Sequence, residues 1–179
     1  FNSFLDELKT KKRKNIIKER EYLKKNDIKL LIKRGDEIVN EDINLFFKCY
    51  LNTINKKWSV AYLTPNFFDQ IRKSIIRQKI ILIQAFQKNM FVGCSLHFIG
   101  EKNLYGRYWG CLKEIPFLHF ELCYYSAIEF AIKNNLQKVE AGAQGEHKIA
   151  RGYEPKLTYS NHWFGQSKLS APIKSYLIE

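Results

Sequence analysis

Leu104-Tyr-Gly-Arg-Tyr-Trp-Gly110, then Phe117-Leu-His-Phe-Glu-Leu-Cys-Tyr-Tyr125, then Gln137-Lys-Val-Glu-Ala141: these three runs decide the fold. The first reads as a strand from Leu104 to Trp109. The second opens a helix, about Phe117 to Asn134, announced by Pro116. It is apolar on most sides (Leu118, Phe120, Leu122, Tyr124, Ile128, Ile132), so it is buried on more than one face. The third is a short strand. Strands on either side of a buried helix become parallel neighbours through a right-handed crossover. One such pair in a mixed sheet opens a V where its strands diverge, and chemistry is expected at that opening.

Upstream, Lys79–Phe86 and Met90–Ile99 are strands separated by Gln87-Lys-Asn89, and Gly100–Asn103 is the next turn. Short polar turns make an antiparallel meander. Asn2 or Ser3 caps a helix predicted to run to about Lys25, and Asp27–Ile32 follows as the first strand. Helices are expected from about Asn40 and from Thr64-Pro65, where Pro takes the first helical position. Downstream, Glu146–Ala150 reads as a short helix, Leu157–Phe164 as a strand and Ala171–Leu177 as a last helix. Without repeats or a long linker, residues 1–179 read as a single domain.

The chain has 179 residues, 45% hydrophobic and 27% charged, which excludes general disorder. Its longest apolar clusters are strand-sized, far below the roughly 20 residues a membrane helix needs. Four cysteines without a Cys-x-x-Cys pair do not form a disulfide framework and suit a reducing, cytoplasmic setting. Phe1 in place of Met is what a fragment or a processed piece is expected to show, and Phe1–Arg34 reads without the apolar core of a signal peptide. Charge is uneven: Phe1–Arg34 carries twelve Lys/Arg against five Asp/Glu, a large share of the net +12. The basic helix, about residues 3–25, is either a docking face for an anionic partner, whether RNA, a nucleotide-linked substrate or phospholipid, or a solvated surface. The oligomeric state is not legible.

Strand alternation puts Tyr105, Arg107 and Trp109 on one face, where an Arg between rings suits a lined cleft. Glu121 opens the apolar helix. It is either a carboxylate with a raised pKa or one paired with a cation. His119 and Cys123 share a helical face, whereas Cys94 and His97 point to opposite faces of their strand, so no metal site is read. Val139 to Gly152 is the richest segment, presenting Glu140, Gln144, Glu146, His147, Lys148 and Arg151 beside Gly142 and Gly145. A carboxylate or imidazole there accepts a proton from an amine, and a Lys steadies a tetrahedral oxyanion.

Phe4-Leu-Asp-Glu-Leu-Lys9, Lys12-Arg-Lys-Asn-Ile16, Leu104–Gly110, Leu118–Tyr125, Glu140–Lys148 and Ala150-Arg-Gly152 together resemble a family of bacterial FemAB-like proteins. That family lies within the GNAT (Gcn5-related N-acetyltransferase) superfamily and is labelled peptidoglycan biosynthesis or recognition. The resemblance covers nearly the whole chain and would correspond to the C-terminal portion of a longer protein. It implies an α/β (α+β) GNAT-like acyl-CoA N-acyltransferase fold, a mixed central sheet flanked by helices. It also implies transfer of an acyl or aminoacyl group to a primary amine, such as that of a peptide or peptidoglycan precursor. The donor would be acyl-CoA or aminoacyl-tRNA, with no tightly bound cofactor. Glu140 or Glu146, with His147 behind them, takes the amine proton. Lys148 matches the family's reacting-centre Lys and, with Arg151, steadies the oxyanion. Tyr105, Arg107, Trp109, Glu121 and Tyr124 contact substrate. Two departures stand out in the GNAT phosphate loop: Leu112 replaces its last small residue, and Pro116 offers no N–H. The other reading is a non-catalytic module of the same fold, holding a peptide, muropeptide or RNA end.

Overall fold

Alternating apolar runs separated by tight polar turns fold into the meander they predict. A computed structural model describes residues 1–56, 58–142, 145–163, 165 and 167–178. Its strands are β1 (Ile28–Arg34), β2 (Ile80–Gln87), β3 (Met90–Ile99), β4 (Asn103–Cys111) and β5 (Lys138–Glu140). They lie in that order, the first four antiparallel and β5 parallel to β4. Lys88 and Asn89 both take positive φ, which fits the tight two-residue turn between β2 and β3. Ile81, Leu82 and Ile83 of β2 are fully buried because helices cover both faces of the sheet. Each such side chain contributes about 1.5–3 kcal/mol of burial free energy.

On one face lie α3 (Asn40–Lys56) and α4 (Pro65–Lys73), burying Phe46, Tyr50 and Phe68 against Ile80, Leu82 and Leu96. Thr64 caps α4 by accepting the Phe67 N–H, as its sequence predicts. Where α3 crosses β4 the backbones touch: a Cβ on Gly110 would collide with the Cys49 carbonyl oxygen. Thr53 Oγ1 and Asn52 Nδ2 then donate to the carbonyls of Trp109 and Cys111.

The other face is covered by α2 (Thr10–Lys25) and a continuous helical stretch: α5 (Leu118–Phe120), a π-helical turn (Glu121–Tyr125) and α6 (Ser126–Lys133). The predicted N-terminal helix is divided. α1 (Asn2–Asp6) has Phe1, not Asn2 or Ser3, as its N-cap, and the chain turns at Lys9 before α2. The break lets Phe4, Leu5 and Leu8 reach Tyr124, Tyr125 and Tyr153, while Arg13 bridges back to Asp6. The break puts Lys11, Lys12 and Arg13 in the first turn of α2, where the helix dipole disfavours cations, so these tertiary contacts hold it against the local charge.

Leu157–Trp163 forms no strand. Leu157, Tyr159 and Trp163 are exposed, and Phe164, the end of that expectation, lies outside the described residues. The alternating pattern is there, but a strand also needs a partner edge. Two helices complete the chain, α7 (Glu146–Ile149) and α8 (Ser167–Ile178). Among the described residues, no helix is long and apolar enough to cross a membrane.

Candidate active site

β4 and β5 pair over only three rungs, Asn103/Lys138, Leu104/Val139 and Tyr105/Glu140. Beyond Glu140 the neighbour is gone, while β4 runs on for six residues to Cys111. The strands therefore part just past Tyr105, and the expected opening is present.

A bulge changes what faces it. β3 pairs Leu96 with Tyr108 but His97 with Gly106, so Arg107 is the extra residue. Alternation alone puts Tyr105, Arg107 and Trp109 together; the bulge corrects this. Trp109 joins Leu104 in the core beneath the helical stretch, and Tyr108 packs toward α3. The Arg107 guanidinium lies over the Tyr108 ring at 4.9 Å. Tyr108 also meets the Tyr62 hydroxyl, and burial with that contact pushes its own hydroxyl up to about 12.

Under the opening, four rings and two imidazoles converge. His119 stacks on Trp109 with centroids 4.4 Å apart, and lies edge-on to Tyr124 at 5.4 Å and His147 at 6.1 Å. Phe120 packs on Tyr124 and His147, and Tyr153 on Tyr124. The Tyr124 hydroxyl and His147 Nε2 are hydrogen-bonded at 3.0 Å, and burial raises the hydroxyl to about 12. The π turn makes this possible. An α-helix matches His119 with Cys123, as the sequence spacing suggests; the wider turn matches it with Tyr124 instead. On the other side, Gly145 has φ +104°, and any Cβ there would strike the His147 ring at 2.6 Å. Glycine is what lets this loop lay the imidazole against Phe120 and Tyr124.

The remaining predicted site residues fall in different places. Glu140 turns its carboxylate back along β4, where it accepts from Asn103 Nδ2 at 3.0 Å. Tyr105 also meets Asn103 there and is exposed. Glu146 is exposed on the first turn of α7. Lys148 Nζ donates to the Gly142 carbonyl at 2.9 Å, and burial lowers its pKa. Gln144 lies outside the described residues.

Glu121 and Arg151, read as substrate contacts, are instead committed inside the protein. Arg20 holds Glu121 with two bonds of 3.0 Å, Ser126 adds a third at 2.8 Å, and Arg20 continues to Glu129 at 2.8 Å. Arg151 donates to Glu19, to the Tyr125 hydroxyl and to the His147 carbonyl, and its guanidinium lies 3.4 Å over Phe120. Both clasps are anchored by neighbouring residues of α2. Cys94 packs toward α3 while His97 bonds beneath the helical stretch. Among the described residues, no group of three or more His, Cys, Asp or Glu is arranged to hold a metal ion.

A cleft of about 650 Å³ leads to the cluster past Lys56, Pro116, Phe117, Trp109 and His119. Its rim is a poor phosphate cradle: Pro116 has no N–H, and the Leu118 N–H is bonded to the Ile115 carbonyl. Phe120 and Tyr153 enter the cluster although the sequence does not single them out, and His119, weighed there only as a metal ligand, enters it through a π turn that no residue pattern signals.

This parted parallel pair within a mixed sheet is the GNAT fold. An aminoglycoside acetyltransferase from an uncultured soil metagenomic sample, solved with sisomicin, matches at TM-score 0.55 and 11% identity, over 79% of this chain and 97% of that one. A GNAT family acetyltransferase from Staphylococcus aureus matches at TM-score 0.52 and 13% identity, over 77% and 99%. L-PGS from Bacillus licheniformis matches at TM-score 0.53 and 12% identity, over 96% of this chain and 49% of that one. No curated protein matches the sequence. The chain belongs to the FemAB-like family, described as peptidoglycan biosynthesis/recognition, whose model matches residues 1–179. Family and fold together support an acyltransferase.

Proposed function

We propose that the chain transfers an acyl or aminoacyl group to a primary amine, with a peptide or peptidoglycan precursor as acceptor. The observation that carries this reading is the parting of β4 from β5 directly over the His119–Tyr124–His147 cluster. The donor's acyl group lies in the cleft that ends at Trp109 and His119. The amine enters between the strands and its nitrogen attacks the carbonyl carbon. The tetrahedral oxyanion collapses, the bond to the donor's sulfur or oxygen breaks, and an amide forms.

The nitrogen loses one proton and the leaving group gains one. His147 is better placed than Glu140 or Glu146 to take the first, because its exposed ring packs against Phe120 and Tyr124. The Tyr124 hydroxyl, bonded to His147 and kept protonated by burial, supplies the second. Lys148 tethers the loop through Gly142 and stands as the candidate oxyanion cation. Arg151 positions His147 through the backbone. The poorly furnished phosphate rim favours aminoacyl-tRNA over acyl-CoA as donor. The exposed Lys9, Lys11, Lys12, Lys14 and Lys18 supply a docking face for such a polyanion.

The test is mass-spectrometric product detection with labelled acyl-CoA and aminoacyl-tRNA across an amine panel. A product from one donor, reduced roughly 100-fold or more in a folded His147→Ala variant, is expected. No product from either donor would leave the binding-module reading in its place.

A further inference from the structure

Arg13, Arg20, Arg72, Arg77 and Arg151 each hold a carboxylate of the chain. Arg107 does not. It is exposed, and among the described residues its guanidinium makes no hydrogen bond or ion pair. It is nevertheless held in place, 4.9 Å over the Tyr108 ring, a contact that leaves its N–H groups free to donate. Beside it is a second unused hydrogen. The Tyr108 and Tyr62 hydroxyls meet, and neither has another partner among the described residues. Two hydroxyls carry two hydrogens and one lies between them, so the other points to a further acceptor. Burial and the Tyr62 contact push the Tyr108 hydroxyl up to about 12, so it does not ionise to neutralise the cation.

The bulge decides where these groups stand. Arg107 is the extra residue, directly after Gly106 and so just past the last β4–β5 rung. A regular strand turns consecutive side chains to opposite faces; a bulge re-aims them. Tyr108 packs on the α3 side, edge-on to Tyr50, and Tyr62 comes from the segment between α3 and α4. Trp109 and His119, which line the cleft, lie on the helical-stretch side. Only about 7 Å of strand separates Arg107 from Trp109. The parted strands thus have the acyl-donor cleft on one side and a group of N–H and O–H donors on the other. Glu140, at the end of β5, directs its carboxylate to Asn103 instead.

A guanidinium and a phenol hydrogen together call for an anion. The planar fork meets a carboxylate with two parallel bonds, and the phenol supplies a third. On a peptide acceptor the anions are carboxylates. We propose that Arg107, with the Tyr62–Tyr108 hydroxyl pair, binds a carboxylate of the acceptor, so that the favoured acceptor is an amine carried on an acidic peptide. This deepens the acyltransferase reading and rests on it for the fate of the amine.

The test uses the full chain with ¹⁵N-labelled arginine and follows the Arg107 Nε–H resonance by NMR, identified by its absence from Arg107→Gln. The peptide alanyl-glutamyl-lysine should shift it saturably. The same peptide with its carboxylates amidated should not, and inorganic phosphate at equal concentration should shift it less. Tyr62→Phe with Tyr108→Phe, which keeps both rings, should weaken peptide binding several-fold. Arg107→Gln should keep its Tm, because the side chain is exposed. In product assays it should raise KM for the acidic peptide roughly tenfold or more, as losing hydrogen bonds to a charged group does. It should also erase the preference over the amidated peptide. Equal responses to the two peptides, a larger response to phosphate, a silent Arg107 signal or unchanged peptide binding in the double variant would each overturn the proposal. The two readings fail separately. Peptide binding without turnover removes the transferase and leaves this site, while turnover with equal KM for the two peptides removes the site and leaves the transferase.

Discussion

The two faces of β4 past the opening are built on opposite plans. Toward α3, backbone lies against backbone: Gly110 touches the Cys49 carbonyl, and Thr53 and Asn52 occupy the carbonyls of Trp109 and Cys111. Toward the helical stretch, the strand faces rings, two imidazoles and buried polar groups. The first face fixes where β4 runs once β5 no longer holds it. The second is then free to carry polar side chains that packing alone would exclude. The difference teaches that a gap in a sheet is stable only if one side replaces the lost neighbour.

The most damaging way to break this division is Gly110→Ala. The methyl has no room, since the atom it meets is main chain. A loss of about 4 kcal/mol or more is expected in chemical denaturation. Arg20→Met attacks the other face by leaving the Glu121 carboxylate buried with Ser126 as its remaining side-chain donor. That should cost about 3 kcal/mol, because an uncompensated buried charge is worse than no pair.

Acid titration sharpens the contrast further. His97 falls from an ordinary 6.5 to about 4 in the fold, so the unfolded chain binds the extra proton between those values. Stability from this group is complete above pH 6.5 and is lost as pH falls toward 4, about 3 kcal/mol in all. Urea midpoints across that window should flatten in His97→Phe. The smallest effect belongs to the solvent-facing lysines. Lys11→Ala with Lys12→Ala should change stability by less than about 0.5 kcal/mol. The same pair should weaken tRNA retention at low salt and lessen its salt dependence.

Much of this was legible in advance. Three strands separated by polar turns, the capped Thr64-Pro65 helix and the crossover from β4 to β5 all follow from local pattern and turn chemistry. The concentration of polar residues after β5 also marked the loop that brings His147 to the ring cluster. What stayed hidden depends on distant contacts. The bulge at Arg107 reverses the parity of Trp109 without leaving a mark on the alternation. The π turn brings His119 to Tyr124 in a helix whose composition looks ordinary. Glu121 and Arg151 looked like site residues because burial and ion pairing across more than 100 positions cannot be read from spacing. Leu157–Trp163 shows the converse, a strand-like pattern with no strand to join.

Two consecutive residues of the second helix, Glu19 and Arg20, each reach across to clamp a different part of the half that carries the ring cluster. A protein shortened to start at Ile28 would retain every ring around the cleft. It would nevertheless lose both fastenings, and with them the rigid seat of His147. The lysine-rich helix is therefore a keystone as much as a surface, and expression trials that trim it for solubility would discard the part that holds the ring cluster together.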